Sequence, residues 1–272
     1  SIALKGPITT PIGEGFSSIN VALRKTFDLF SNVRPALSFA GTKSRYENID
    51  IITVRENTEG MYSGQGQTIT QDGEHAEAVS VITHKGAERI VRFAFDLAQK
   101  NNRKKITVVH KANILKSTSG LFLKTAREVA KEFENISCQE MIVDNCAMQL
   151  VMNPHQFDVI VTTNLFGDII SDLCAGLVGG LGLAPAANIG DDAAIFEAVH
   201  GSAPDIAGKN IANPAALMLA SAMMLDHLRM TPRANRLRQA LRDTIAARDR
   251  VTKDLGGSAT TDDFTQAVIE KL

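Results

Sequence analysis

Short apolar runs typical of β-strands alternate with segments of helical periodicity along most of this 272-residue chain. Such alternation predicts an α/β fold with a largely parallel or mixed sheet. The predicted strands cover residues 49–55, 78–83, 105–110, 141–143 and 157–163. The predicted helices cover residues 84–99, 117–133, 146–152, 167–177, 234–248 and 263–272, and Pro214 opens a further long apolar helix. A chain of this length can form one large domain or two modest ones.

A polar, glycine-rich segment interrupts this alternation at residues 64–75. It contains too few apolar residues to join a hydrophobic core. We expect it to form a hairpin arm that reaches away from the domain, onto a partner subunit.

The composition argues against two broad classes of partner. The formal net charge is −1 and no segment is strongly basic, which argues against nucleic-acid binding. The longest apolar run, around residues 215–225, is about half as long as a membrane-spanning helix requires, so no membrane span is predicted. The three cysteines, Cys138, Cys146 and Cys174, show no metal-binding spacing and cannot all pair, which fits a reducing compartment best.

Two aspartates follow directly after the predicted strand 157–163. Asn164 and Gly167 supply turn chemistry and a possible helix cap there. Asp168 and Asp172 are four residues apart, so on a helix they share one face. Two carboxylates at a helix N-terminus, just past the end of a strand, favour a bound divalent cation of the magnesium or manganese type. For an isolated pair at this spacing, two solvated helix carboxylates would be the more common interpretation.

Three arginines lie near apolar elements rather than in a charged run: Arg24, Arg34 and Arg55. Guanidinium groups bind carboxylates through two parallel hydrogen bonds, so several converging arginines suit a substrate with two or three carboxylates. Ser18 and Asn20 precede Arg24 by about one and a half helical turns and can add hydrogen bonds to the same anion. Singly, each arginine is a candidate for a surface ion pair, and the other two residues are ordinary at a helix start.

Tyr62 and Lys111 are candidates for proton transfer. A tyrosine near cations can donate a proton, although a packing role is the simpler interpretation of Tyr62 alone. Lys111 ends a predicted buried strand, where a side chain points into the ligand crevice of an open α/β sheet. A lysine at a strand end can equally extend to water.

The segment 200–208 is a glycine-bounded loop that contains a histidine and an aspartate. Its Asp205 could accept hydrogen bonds from ribose hydroxyls and repel a 2′-phosphate. The chain contains no G-x-G-x-x-G loop, so on spacing alone an ordinary surface loop is the better interpretation.

Five ordered motifs together resemble one enzyme family. They are TTPIG (9–13), RENTEG (55–60), VHKANI (109–114), NLFGDIISD (164–172) and HGSAPDIAG (200–208). In order and approximate spacing they resemble the isocitrate/isopropylmalate dehydrogenases, which are metal-dependent β-decarboxylating enzymes, and above all the NAD-dependent isocitrate dehydrogenases. Five matches in order are far more specific than any one alone.

The resemblance implies two α/β domains around a central cleft, distinct from a standard Rossmann fold. The large dinucleotide-binding domain would comprise residues 1–30 and 178–272. The small domain would comprise residues 31–177, with dimer-forming helices and an arm near residues 64–84. Family members begin with a strand and a G-D-G-I-G-P-E turn upstream of residues 9–11, so the first part of the large domain is expected to be absent from this sequence.

The resemblance also implies a reaction, the oxidative decarboxylation of isocitrate to 2-oxoglutarate and carbon dioxide with reduction of NAD and with magnesium or manganese bound. The implied catalytic residues are Tyr62 and Lys111. The implied substrate-binding residues are Ser18, Asn20, Arg24, Arg34, Arg55 and Asn113. The implied metal ligands are Asp144, Asp168 and Asp172. The implied cofactor-binding residues are Thr10, His200, Gly201, Ala203, Asp205, Ile206 and Asn213.

Family members share each active site between two subunits, so Lys111, Asn113 and Asp144 would act in the site of a partner. A homodimer or higher homo-oligomer is therefore expected, in the bacterial cytoplasm or the mitochondrial matrix. Asp205 and Ile206 replace a Lys-Tyr pair of NADP-using relatives, which implies NAD. Ser18 and Asn20 suit the additional carboxylate of isocitrate. The alternatives are a homoisocitrate or 3-isopropylmalate dehydrogenase, an inactive fragment and a non-catalytic regulatory subunit.

Overall fold

The computed structural model describes residues 1–9 and 18–272. The strands in this part are β1 (Ile2–Lys5), β2 (Ser31–Leu37), β3 (Asp50–Glu56), β4 (Thr68–Ile69), β5 (Ala76–Glu77), β6 (Lys105–His110), β7 (Ser137–Ile142), β8 (Val159–Thr162), β9 (Pro185–Ile189) and β10 (Ala194–Ala198). The helices are α1 (Ile19–Thr26), α2 (His84–Lys100), α3 (Thr118–Ala130), α4 (Val143–Met152), α5 (Asn164–Leu177), α6 (Ala215–His227), α7 (Thr231–Ala247) and α8 (Thr261–Ile269).

Eight strands form one mixed sheet in the order β1-β10-β9-β2-β3-β8-β6-β7. The four strands β3, β8, β6 and β7 are mutually parallel, so their carboxyl ends meet at one edge of the sheet. Open α/β sheets place ligands at such an edge. Strand β2 runs antiparallel to both β3 and β9, and β10 runs antiparallel to β9.

Apolar side chains alternate between the two faces of this sheet, as the period of a β-strand requires. One face carries a core formed with α2 and α3, which includes Val54, Ile90, Phe95 and Phe122. The opposite face carries a core formed with α4 and α5. A third cluster joins α6, α7 and α8. The sheet is therefore covered on both faces, as the predicted α/β class requires.

Most predicted elements are confirmed, but the predicted strand at residues 78–83 is wrong. Strand β5 lies earlier, at Ala76–Glu77, and Val81 forms only an isolated bridge with Gly60. The strand predicted at residues 141–143 is the end of β7, and Val143 already begins α4. Strands β1, β2, β9 and β10 were not predicted. Pro35 interrupts the pattern of β2, and β9 and β10 are rich in alanine, which has low strand propensity.

The predicted arm is a hairpin of β4 and β5 whose residues are exposed, including Ile69 at 69%. Its contact with a partner subunit stays a prediction. The division into two domains also stays a prediction, and the sheet continues across the predicted boundary because β2 pairs with β9. Among the described residues, no helix is both long and apolar enough to cross a membrane.

Candidate active site

Arg55 lies near the end of β3, and its guanidinium packs against the first turns of α5. It is 1% exposed and donates to Asn164 Oδ1 from Nε (3.1 Å) and Nη2 (2.7 Å), and it forms an ion pair with Asp168. Gly167 allows this close approach, because a Cβ there would lie 2.5 Å from Arg55 Cγ. Burial, and then the positive charge of Arg34, lower the pKa of Arg55 to about 10, so it stays charged at neutral pH.

Arg34 reaches the same carboxylate from the neighbouring strand β2. Its Nη2 lies 3.2 Å from Asp168 Oδ1, and its Nη1 donates to Asp172 Oδ1 (3.1 Å) and Ser171 Oγ (2.8 Å). Its Nε donates to Asn32 Oδ1 at 2.7 Å. All the donor nitrogens of Arg34 thus have partners, which holds its planar fork in one orientation.

Helix α1 brings Arg24 to this cluster. Arg24 Nη2 lies 3.7 Å from Glu197 Oε1, and burial lowers the pKa of Arg24 despite that negative charge. Ser18 caps α1 by accepting from Val21 N. Asn20 Oδ1 is buried and, within the described part of the chain, has no hydrogen-bond partner. Asn20 lies beside Arg24, at a small cavity that Asn188 and Glu197 also line.

Tyr62 lies in the one-turn 3-10 helix of residues 61–63 and donates its hydroxyl proton to Asp168 Oδ2 at 2.6 Å. Its ring lies 5.0 Å from the Arg55 guanidinium carbon. Burial, followed by the hydrogen bond and charge of Asp168, raises the pKa of Tyr62. The phenol therefore stays protonated at neutral pH and is available as a proton donor.

The environments of the two aspartates shift their pKa values in opposite directions. Burial opposes ionisation of Asp168, but the charges of Arg55 and Arg34 outweigh it and hold the pKa of Asp168 below its ordinary value. Burial, which Arg34 only partly offsets, raises the pKa of Asp172.

The expectation that Asp168 and Asp172 lie at a helix N-terminus is wrong, since α5 already begins at Asn164 and has no acidic residue in its first turn. Nor is Asn164 a cap or Gly167 a turn residue, because both lie inside the helix.

Lys111, Asn113 and Asp144 form a separate group near the ends of β6 and β7. Lys111 directly follows β6 and pairs with Asp144, which lies in the first turn of α4. Asn113 is exposed. The hydrogen bond from Lys111 lowers the pKa of Asp144. The candidate proton-transfer residues and metal ligands thus all follow the carboxyl ends of the parallel strands.

The donor atoms of Asp168 and Asp172 suit a magnesium-type cation, which prefers carboxylate oxygens. In the described ranges, no group of three or more His, Cys, Asp or Glu residues is arranged to hold a metal ion, so Asp144 does not complete a site within one chain. A magnesium or manganese ion held by Asp168 and Asp172 would need further ligands from water, a bound molecule or a second chain, and the role of Asp144 stays a prediction.

The predicted cofactor loop follows β10 and contains a 3-10 turn at Pro204–Ile206. Ser202 hydrogen bonds Thr9, which places the loop beside the start of the TTPIG motif. Asn213 accepts from Ala215 N (2.9 Å) at the start of α6 and donates to Asp254. His200 is partly buried, whereas Gly201, Ala203 and Asp205 are exposed and Ile206 is partly buried. Thr10 lies outside the described residues.

Sequence reasoning missed several polar residues that hold the cluster in place: Asn32, Ser171, Asn188 and Glu197. It considered Asn164 only as a turn or cap residue and missed its contact with Arg55. Asn188 and Glu197 carried a usable signal, because each is a polar residue inside an otherwise apolar strand. A buried polar side chain normally has a specific partner.

Comparisons with known proteins identify the family of this chain. Residues 1–268 match the family described as isocitrate/isopropylmalate dehydrogenase. The chain is 52% identical over its whole length to 72% of the mitochondrial isocitrate dehydrogenase (NAD) catalytic subunit 5 of Arabidopsis thaliana. It is 50% identical, again over its whole length, to 76% of a mitochondrial regulatory subunit of the NAD isocitrate dehydrogenase of Dictyostelium discoideum.

A solved structure gives the same result. The crystal structure of isocitrate dehydrogenase from Methylococcus capsulatus superposes with a TM-score of 0.97 at 54% identity, over 99% of this chain and 81% of that one. This confirms the predicted family fold. The chain belongs to the isocitrate/isopropylmalate dehydrogenase family.

Proposed function

We propose that the chain catalyses the oxidative decarboxylation of isocitrate to 2-oxoglutarate and carbon dioxide, with reduction of NAD. One observation carries this proposal: Arg34, Arg55 and the phenol of Tyr62 converge on Asp168, with Arg24 close by. A cationic cluster around a carboxylate and a protonated tyrosine suits a substrate that carries several carboxylates and must accept a proton.

The three arginines bind the substrate carboxylates, and Ser18 and Asn20 contribute hydrogen bonds to the carboxylate that distinguishes isocitrate from smaller malate derivatives. The partly exposed Asp168 side chain, which Arg34 and Arg55 contact, supports the assignment of the arginines. Asn113 of the partner subunit contributes a polar contact. The favourable charge is needed because the substrate is a trianion.

Asp168 and Asp172, with Asp144 of the partner subunit, hold a magnesium or manganese ion. NAD, when bound, would supply the hydride acceptor for the hydroxyl carbon, and the divalent ion would supply positive charge that favours loss of carbon dioxide. Lys111 of the partner subunit takes the hydroxyl proton. Tyr62 then protonates the carbon from which carbon dioxide has departed, and its raised pKa keeps it in the donor form.

NAD binds along Thr10, His200, Gly201, Ala203, Asp205, Ile206 and Asn213. The exposed carboxylate of Asp205 favours NAD over NADP, because it can accept from ribose hydroxyls and would repel a 2′-phosphate. The Arabidopsis and Dictyostelium relatives are also named as NAD enzymes.

A homodimer completes the site. Helices α4 and α5 expose Met148 (49%), Met152 (70%) and Ile169 (55%) beside the acidic residues, an apolar surface that an isolated subunit would leave in water. The relatives are named as subunits, and those from eukaryotes as mitochondrial. All three cysteines are free thiols, which fits the mitochondrial matrix or the bacterial cytoplasm.

Formation of NADH by the purified chain with isocitrate and Mn²⁺ tests the proposal. We expect turnover with isocitrate, at least about tenfold less with homoisocitrate or 3-isopropylmalate, and loss of turnover with a chelator that excess Mn²⁺ restores. Turnover with no other chain present would exclude a regulatory subunit. Isocitrate-independent or chelator-insensitive NADH formation, or no turnover, would contradict the proposal.

A further inference from the structure

A buried chain of hydrogen bonds leads away from Arg34 across the sheet. Arg34 Nε donates to Asn32 Oδ1 at 2.7 Å, and Asn32 Nδ2 donates to Asn188 Oδ1 at 2.7 Å. Asn188 Nδ2 donates in turn to Glu197 Oε1 at 2.8 Å. Glu197 then forms an ion pair with Lys5 at 2.6 Å and lies 3.7 Å from Arg24. Two proposed substrate arginines are therefore joined through one carboxylate and two amides.

The register of the sheet brings these residues together. Asn188 of β9 lies directly opposite Asn32 of β2, which lies directly opposite Arg55 of β3. Residues opposite one another in a sheet point to the same face, so Asn188, Asn32 and Arg55 form a row of polar side chains that crosses three strands. Asn32 is fully buried and Asn188 is 2% exposed, so bulk water does not compete for these hydrogen bonds.

The two ends of the chain fix the orientation of both amides. A guanidinium can only donate and an ionised carboxylate can only accept. Asn32 must therefore turn its oxygen to Arg34, and Asn188 must turn its nitrogen to Glu197. Asn188 Oδ1 also accepts from Asn57 at 3.0 Å, which fills its acceptor side. Although burial opposes ionisation, the contacts from Lys5 and Asn188 hold the pKa of Glu197 below its ordinary value, so the accepting end stays ionised.

We propose that Asn188 is a positioning residue for isocitrate binding: acting through Asn32, it fixes the rotation of the Arg34 guanidinium. This inference rests on the proposed function. The hydrogen bonds of the Asn188 side chain go to Asn32, Asn57, Glu197 and the backbone of Ile195, none of which is proposed for metal binding or proton transfer. Its loss should therefore affect substrate affinity and leave the chemical step nearly unchanged.

Kinetics and calorimetry of Asn188→Ala test this inference. We expect the KM and the dissociation constant for isocitrate to rise about tenfold. Losses of this size are typical when a side chain that binds a metal loses the hydrogen bond that orients it. The kcat should stay within about threefold and the KM for NAD should not change. Thr244→Val is the matched control, because Thr244 is fully buried and donates a hydrogen bond to Ala240 O (2.8 Å) inside α7. It should lower stability without changing either KM.

A double-mutant cycle with Asn32→Ala separates positioning from a merely structural role. Asn32→Ala alone removes the acceptor of Arg34 Nε and should raise the KM about as much as Asn188→Ala. In the Asn32→Ala background, Asn188→Ala should raise the KM no further, since the link to Arg34 is already broken. If Asn188→Ala fails to fold, Asn32→Ala alone tests the same link.

The outcomes separate this inference from the proposed function. A wild-type chain that neither binds nor turns over isocitrate would overturn both. An active wild type with Asn188→Ala and Asn32→Ala indistinguishable from Thr244→Val in KM would overturn the positioning role alone. Independent, additive effects of the two substitutions would also overturn it.

Discussion

Asp168→Asn is expected to lower kcat/KM for isocitrate by roughly 1,000-fold or more, because this carboxylate contacts proposed substrate-binding and proton-donating residues and is itself a proposed metal ligand. It faces Arg34 and Arg55, accepts from Tyr62 and is a proposed metal ligand. An asparagine keeps the shape and one acceptor oxygen but removes the charge. The free energy of unfolding should fall by only about 2 kcal/mol, since Asp168 is one-third exposed and water screens the loss.

Asp158→Asn is the matched control for this prediction. Asp158 lies just before β8, at the opposite end of the strand that leads into α5, and it pairs with Arg103 at 3.0 Å. Its loss should lower stability by a similar amount while kcat/KM stays within about threefold of wild type. Steady-state kinetics and urea denaturation of both variants measure the two effects. Wild-type turnover in Asp168→Asn would refute its role.

Mixing two inactive variants is expected to restore activity, because the proposed site takes Tyr62 from one protomer and Lys111 from the other. Tyr62→Phe and Lys111→Met homodimers should each lose about 100-fold or more in kcat. In an equal mixture of exchanging protomers, about half of the dimers are hybrids with one intact site, so about a quarter of wild-type activity should return.

Wild type mixed with the double variant Tyr62→Phe/Lys111→Met is the matched control. Every site in such a hybrid lacks one of the two groups, so activity should fall to about a quarter of that of pure wild type. If each protomer carried a complete site, the first mixture would stay inactive and the control mixture would keep about half of the activity. The two arrangements therefore give different results in both mixtures.

The sequence indicates the residues of the proposed site better than it indicates the side chains that hold them in position. The spacing of Asp168 and Asp172, the isolated arginines and the strand-end Lys111 are local features. The parallel strands place Arg55, Lys111 and the start of α5 at one edge of the sheet, whereas Arg24 comes from α1 and Arg34 from the antiparallel strand β2. Asn32 and Asn188 are 156 residues apart and meet only through the pairing of β2 with β9. Strand register across such a distance is set by tertiary packing, so no local pattern indicates that contact.

Local propensity also explains the errors. The segment 78–83 contains β-branched residues typical of a strand, yet it lies beside the exposed arm, and among the described residues its one β-bridge joins Val81 to Gly60. The opposite error occurred at β9 and β10, where alanine-rich sequences form buried strands because neighbours on both sides complete their hydrogen bonds. In each case the presence of a neighbouring strand, rather than the strand propensity of the residues, decides whether the segment forms a strand.

Anomalous diffraction from a crystal of the isocitrate complex soaked with Mn²⁺ shows whether carboxylates of two chains share one metal ion. We expect one anomalous peak per site, within coordination distance of carboxylate oxygens of Asp168 and Asp172 and of Asp144 of the partner subunit, with isocitrate bound against it. A peak bound by residues of one chain alone, or no peak between these carboxylates when isocitrate is present, would contradict this expectation.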